Sequence, residues 1–384
     1  MNKQLSIYLD ALRFIAAMGV FASHFIMPRW TGGVLPEKLL GLVQQVGIDF
    51  VMVFFVLSGF VIAYTVDVKD RVWRDYAFSR STRMYSVAAP AILATYLLDR
   101  SGIALNAGAY DGWWYADESL LAMFWRGLTF SNEFWFSGFR PGSNGPYWSL
   151  GYEVWYYILF GIVFFMRGFA RIFAAAIACA LVGPRILLLA PVWVIGAMLY
   201  YALRDGRLGE AKSKAAQALV GTAVLAPPVL FAAFHYFDLN NALYAVSARL
   251  VEPIYDAGLY ERADRFLWHW LVGVLVTVHL AGVAVMLKSW TFTVPMRLEK
   301  AIRWLAGGSF SIYLIHYPAM QFTDAVLTGP QDNPYRAAIL GLSSLAICFL
   351  FASVFERRLA SLRSALRSLA QIGRQPRGSL DPAE

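Results

Sequence analysis

Ten apolar runs divide this chain of 384 residues, at approximately 7–27, 42–66, 84–99, 146–166, 170–184, 187–203, 215–236, 266–287, 304–328 and 335–355. A helix needs about 20 apolar residues to cross a hydrocarbon core. Within that core every backbone polar group must be satisfied inside the protein, which a helix does locally. The expected fold is therefore all-α: a polytopic integral membrane protein with ten spans around a polar passage. The run at 84–99 is short. The pair at 170–184 and 187–203 is the weakest, because Gly183-Pro184-Arg185 makes a tight turn between two short runs.

Composition supports this class. Charged residues make up 15% of the chain, against about a quarter in soluble domains. The first run does not read as a cleaved signal peptide, since it carries Asp10 and Arg13 and no Ala-x-Ala-like site follows it. Cys179 and Cys348 both lie in apolar runs, so buried thiols are expected and no disulfide framework. Two Cys and five scattered His offer no zinc spacing, and no metal is expected.

An even number of spans puts both termini on one side, and the basic residues choose that side. Leaving Arg13 aside, the segments on the side of the termini hold 22 Lys and Arg, among them Lys69, Arg71, Arg74, Arg80, Arg83, Arg357 and Arg363. The opposite segments hold ten, among them Arg29, Arg126, Arg140 and Arg262. The positive-inside rule then places both termini in the cytoplasm. It also accounts for the net charge of +8 through topology and contacts with anionic lipid, without nucleic acid. Residues 1–356 are expected to form the membrane domain. Residues 357–384 read as a basic cytoplasmic tail, first an amphipathic surface helix and then, from Gly373, disordered.

Within the first run, Asp10, Arg13 and His24 share one face. Arg13 and His24 stand eleven positions apart, within about 20° of one another at about 100° per residue. Ionisable groups at membrane depth are functional candidates by default. The stripe suits a polar track across the bilayer; it also suits snorkelling end residues beside an interfacial histidine. Two connections on the side away from the termini are long. Residues 100–145 carry Trp113, Trp114, Tyr115, Trp125, Trp135 and Phe136 among Asp111, Asp117, Glu118 and Glu133, and residues 237–265 add Asp238, Glu252, Asp256, Glu261 and Asp264. Rings and carboxylates together suit a sugar, and rings alone suit an interfacial belt. The run 120–130 is too short to span and reads as re-entrant or interfacial.

Five stretches carry a resemblance. Leu9-Asp10-Ala-Leu-Arg13…His24 is similar to the opening signature of the membrane-integral acyltransferase family 3, a basic residue and a histidine with ten residues between. In the family's order follow Phe54-Phe-Val-Leu-Ser-Gly-Phe60, then Arg80-Ser-Thr-Arg83, then Tyr147-Trp148-Ser-Leu-Gly-Tyr-Glu153, and Ser311-Ile-Tyr-Leu-Ile-His316. The resemblance runs from residue 7 to about 355. One departure is Met52, where many members carry Asp; Asp49 lies one turn away. No SGNH hydrolase domain is expected after the membrane domain.

The resemblance implies an acyltransferase that moves an acyl group, most often acetyl from cytosolic acetyl-CoA, onto a sugar hydroxyl of exopolysaccharide, lipopolysaccharide or a similar acceptor in the bacterial inner membrane. Acyl-CoA is then a co-substrate and no cofactor is bound; polysaccharide-assembly proteins are the partners such a role implies. Arg80 and Arg83, one turn apart, suit the phosphates of CoA, as they also suit topology or phospholipid. Arg13 is placed to meet the pantetheine amides or to pair with Asp10 and Glu153. His24 is the candidate base for the attacking hydroxyl, with Glu153 orienting its imidazole. Tyr147, Trp148, Trp113, Trp114 and His316 are the candidate substrate contacts. His235, His269 and His279 have no partner pattern and read as packed or interfacial, and Ser58-Gly59 as a small pair for helix packing. Two other readings stay open: a glycoconjugate transporter or flippase, and an acyltransferase for a small-molecule sugar.

Overall fold

The computed structural model describes residues 1–33, 37–254, 256–290 and 293–372. Among these there is no strand. The helices are α1 (Lys3–Phe25), α2 (Pro28–Thr31), α3 (Glu37–Val68), α4 (Trp73–Leu105) and α5 (Leu120–Leu128). Then come α6 (Trp148–Phe165), α7 (Gly168–Val182), α8 (Pro184–Arg204), α9 (Lys214–Tyr236) and α10 (Leu239–Val251). The chain continues with α11 (Phe266–Ser289), α12 (Met296–Ala306), α13 (Ser309–Val326), α14 (Pro334–Phe351) and α15 (Leu359–Ile372).

Seven of the described helical segments are long and apolar enough to cross a membrane: Lys3–Phe25, Val46–Val68, Gly145–Phe165, Pro184–Arg204, Lys214–Tyr236, Leu259–Ser289 and Pro334–Leu369. The other three expected spans are helical as well, and each departs from its reading. The short run at 84–99 is the middle of the 33-residue α4. The run at 170–184 is α7, only 15 residues long. The run at 304–328 breaks at Gly307-Gly308 into α12 and α13. Ser309, Ser311, His316, Gln321, Thr323 and Asp324 of α13 are all buried. That helix is walled by α1, α4 and α14, so protein satisfies its polar groups and it needs no lipid-compatible surface.

Close approach in the bundle depends on glycine. Gly59 of α3 and Gly196 of α8 sit against each other's helix: a Cβ on Gly59 would come within 3.0 Å of the Ala197 nitrogen, and one on Gly196 within 3.0 Å of the Val56 Cα. The pair confirms the packing role read from Gly59. At the tight turn between α7 and α8, Gly183 adopts φ 78° and lies under Trp135, whose Cα would be 2.8 Å from a Cβ there. Both constraints select the one residue without a side chain.

At the face carrying the described termini, charge ties the helices together. Lys3 meets Glu299 at 2.6 Å, and Arg303 meets Asp10 at 3.0 Å. After α14 a π-helical turn, Ala352–Glu356, aims Glu356 at the start of α13. Its Oε2 accepts from the Ser311 backbone N–H at 2.9 Å and the Ser311 hydroxyl at 2.8 Å, where a carboxylate best matches the helix dipole. The amphipathic tail helix is α15. It does more than lie on the surface: Arg363 reaches α4 and donates to the Thr82 hydroxyl at 2.9 Å and the Ser79 carbonyl at 2.6 Å. The tail beyond Ile372 lies outside the described residues.

Candidate active site

Among the cavities of the bundle, two hold the motif residues Arg13, Arg83, Glu153 and His24 between them. The first, of about 290 Å³, lies at the basic end and is lined by Arg13, Arg80, Arg83 and Arg363 together with Ser58 and Glu153. The second, of about 220 Å³, lies at the other end and is lined by His24, Ser23, Trp148, Tyr317, Trp113 and two arginines, Arg140 and Arg262. Val51 and Tyr313 line both, so the two cavities adjoin there and these residues are part of the partition. The Tyr313 hydroxyl is held by donation to the Pro146 carbonyl at 2.9 Å and a hydrogen bond with the Ser149 hydroxyl at 2.7 Å.

The histidine end is built from α1 and α13. His316 Nδ1 lies 2.7 Å from the Tyr313 carbonyl and 3.0 Å from the Ile312 carbonyl. A ring nitrogen facing two carbonyls must carry the proton, so His316 Nε2 holds a lone pair. That lone pair faces His24 Nδ1 at 3.0 Å, and the Val20 carbonyl faces the same nitrogen at 3.1 Å. His24 is thus assigned the Nδ1–H tautomer by the hydrogen-bond network. Among the described residues no partner takes its Nε2 lone pair, which is what a general base requires. Tyr317 packs edge-on against the His24 ring, 5.3 Å between centroids.

At the basic end, Arg80 pairs with Asp70 at 2.9 Å and Arg83 with Glu356 at 3.7 Å. Arg13 donates to the Ala306 carbonyl at 3.1 Å and pairs with Asp10 at 3.3 Å. Arg363 is held by the neutral groups on Thr82 and Ser79. Glu153 takes donations on Oε1 from the Ser58 hydroxyl at 2.8 Å and from the Tyr157 hydroxyl. Trp193 Nε1 in turn donates to Ser58 Oγ at 3.1 Å.

A family model described as an acyltransferase domain matches residues 6–353. This chain belongs to the acyltransferase 3 family. It is similar to the acyltransferase MdmB of Streptomyces mycarofaciens, with 29% identity over 164 residues, which is 40% of this chain and 37% of that protein. The matched stretch therefore spans little more than a third of that relative's length. No solved structure matches the chain.

The family's motif residues do not all gather at one point. Arg13, Arg80, Arg83 and Glu153 share the basic cavity, while His24 and Trp148 share the other. Expecting Glu153 to orient His24 is therefore corrected: among the described residues its hydrogen bonds go to Ser58 and Tyr157, and His316 takes the orienting position. Ser58, read only as a packing residue, is a ligand of that carboxylate. Asp10 lines neither cavity; it ties Arg13 to Arg303 across α1 and α12. Tyr147 is fully buried and donates to the Gly127 carbonyl at 3.0 Å, so it supports α5 and touches neither cavity. Trp113 lines the histidine cavity. Trp114 does not, because the Arg29 guanidinium holds it, 4.0 Å from the ring centroid. His279, read as packed or interfacial, is hydrogen-bonded at both ring nitrogens: Nδ1 donates to the Val224 carbonyl at 2.8 Å, and Nε2 accepts from the Tyr8 hydroxyl at 2.5 Å.

Sequence reasoning missed the partners of Asp49. Its carboxylate, 3% exposed, accepts from Trp268 Nε1 at 2.8 Å, with His235 Nε2 at 3.2 Å and His269 Nδ1 at 3.7 Å. These rings come from α9 and α11, so no local spacing announces them. With Met52 buried in the core, the nearby carboxylate serves the α3–α9–α11 contact and lines neither of the two cavities.

One loop carboxyl near the histidine cavity makes a pH prediction. Glu133, between α5 and α6, is 3% exposed, and burial pushes its carboxyl up to about 7, with Arg262 and Arg185 opposing. Arg185 compensates only in part because it lies 3.5 Å from both Glu133 and Glu261. A raised carboxyl favours the protonated form in the fold. Its stability contribution is present below the ordinary glutamate value and is lost as pH rises through about 7. Glu133→Gln is expected to lift the melting temperature by a few degrees at pH 8 and hardly at all at pH 5. Parallel melting curves across that range would refute the assignment.

Proposed function

We propose that the protein takes an acyl group, acetyl first among the candidates, from cytosolic acyl-CoA and delivers it through the membrane to a hydroxyl of an envelope or extracellular carbohydrate. The observation that carries this reading is the pair of neighbouring cavities, one arginine-rich and one holding a base-competent histidine, which share Val51 and Tyr313 in their walls. Family membership favours an enzyme over a transporter.

On this reading the donor's phosphates bind at Arg80, Arg83 and Arg363, on the face that holds the N-terminus and α15 and is cytoplasmic. The pantetheine arm runs past Arg13 and Glu153. Both donations to Glu153 fall on Oε1, which leaves Oε2 to accept an amide N–H of the arm. The thioester reaches the partition at Val51 and Tyr313. His24 Nε2 takes the proton of the acceptor hydroxyl as that oxygen attacks the thioester carbonyl. The C–S bond breaks, CoA thiolate leaves, and the proton on His24 passes to the thiolate or to solvent. Through the reaction His316 Nε2 accepts from His24 Nδ1–H and stabilises the imidazolium. The acceptor lies against Trp148, Trp113 and Tyr317, whose ring faces suit the C–H surface of a sugar.

The test is transfer of label from acetyl-labelled CoA, supplied on the cytoplasmic side of vesicles, into carbohydrate on the other side. Label that appears there with the wild type and not with vesicles lacking the protein supports the reading. Saturable donor binding without any such label would reassign the acceptor to a small molecule, and absence of donor binding would return the transporter reading.

A further inference from the structure

The histidine cavity is lined by one cation, Arg140, that has no ion-pair partner among the described residues. Three guanidinium groups gather around it: Arg140 and Arg262 line it, and Arg185 lies behind. Two carboxylates answer them. Glu261 pairs with Arg262 at 2.7 Å and with Arg185 at 3.5 Å, and Glu133 pairs with Arg185 at 3.5 Å. Arg262 also stacks over Trp148, 5.0 Å from its ring centroid. Arg140 differs from both. Among the described residues it forms no ion pair; Nη1 donates to the Trp113 carbonyl at 2.7 Å, and the guanidinium lies 5.6 Å from the Trp113 ring centroid. It is half-buried, and among the described residues no Asp or Glu lines the cavity. A half-buried cation held by one neutral contact, with a fork of donors still open, is a ready receptor for a carboxylate.

We propose that Arg140 is a specificity residue that binds a carboxylate group on the molecule reacting at His24. This rests on the acyl-transfer reading and names the class of substrate for the same site. The carboxylate comes from one of two sources: a uronic acid in the acceptor carbohydrate, or the free end of a dicarboxylic acyl group such as succinyl on the donor. Either one places its anion beside the aromatic walls, with its reacting carbon or hydroxyl turned toward His24.

The experiment uses the full-length protein in detergent, as wild type, Arg140→Gln and Arg140→Lys. The first arm compares binding of methyl glucuronide with methyl glucoside by saturation-transfer NMR. The second compares transfer from succinyl-CoA with transfer from acetyl-CoA. A preference of about tenfold for the glucuronide, lost in Arg140→Gln and partly kept in Arg140→Lys, assigns the carboxylate to the acceptor. The same pattern for succinyl-CoA assigns it to the donor. Glucoside binding and acetyl-CoA binding that stay constant across the variants show that the loop and donor cavity are intact. No preference in either arm, or a preference that survives in Arg140→Gln, overturns the proposal. Failure of the acyl-transfer reading itself has a different signature, absence of acetyl-CoA binding in the wild type.

Discussion

His24→Ala is expected to lower acyl transfer by about 10²- to 10⁴-fold, the usual effect of removing a positioned general base, while acetyl-CoA affinity stays within a factor of two or so. The separation follows from geometry: His24 lines only the cavity beyond Val51 and Tyr313, and Arg13, Arg80, Arg83 and Arg363 line the other. His316 supplies the sharper form of the test. Its Nε2 accepts from His24, so His316→Ala removes the acceptor that fixes the tautomer, and turnover should fall about 10- to 100-fold. A carbonyl oxygen can accept the same hydrogen bond, and His316→Asn should recover part of the loss. A purely structural role for His316 predicts no such recovery. Turnover by His24→Ala within tenfold of the wild type, measured with labelled acetyl-CoA, would remove it as the base.

The second large effect lies at the other end of the bundle. Arg80→Ala with Arg83→Ala is expected to weaken acetyl-CoA binding by 10²-fold or more in calorimetry. Each charge-assisted hydrogen bond contributes about 1.5–3 kcal/mol, and about 1.4 kcal/mol is tenfold in affinity. The loss stays at the lower end because both arginines already have acidic partners, Asp70 at 2.9 Å and Glu356 at 3.7 Å, from which a phosphate must draw them. Arg363, anchored by neutral groups on Thr82 and Ser79, is left to hold the remaining affinity, and the triple variant should bind no donor measurably. The salt dependence of binding should fall with each arginine removed, since exposed charge interactions are screened within about 8–10 Å at physiological ionic strength. Unchanged affinity in the double variant would return both arginines to topology and lipid contact.

The apolar runs, the basic asymmetry and the five motif blocks were legible in the chain itself, because hydrophobicity and helical spacing are local quantities. They sufficed for an all-α membrane protein, for its family, and for His24, Arg80 and Arg83 as residues to look at. Even the amphipathic tail showed in the order of its arginines. Depth and rotation were another matter. Glu153 and His24 seemed to lie at one level when each was counted from its own helix end, yet packing sets α6 so that Glu153 faces Ser58, Tyr157 and the basic cavity.

His316 stands 292 positions from His24, and nothing in either helix states that one will present its lone pair to the other. The same holds for Asp49 and the rings of Trp268, His235 and His269, and for Arg363 reaching back over α4. A sequence fixes which side chains share a helix face. Which face meets which, and at what height, follows from the close packing of whole helices, through contacts such as Gly59 against Ala197 and Gly196 against Val56. The chemistry of this protein depends on those meetings, and only the tertiary structure decides them.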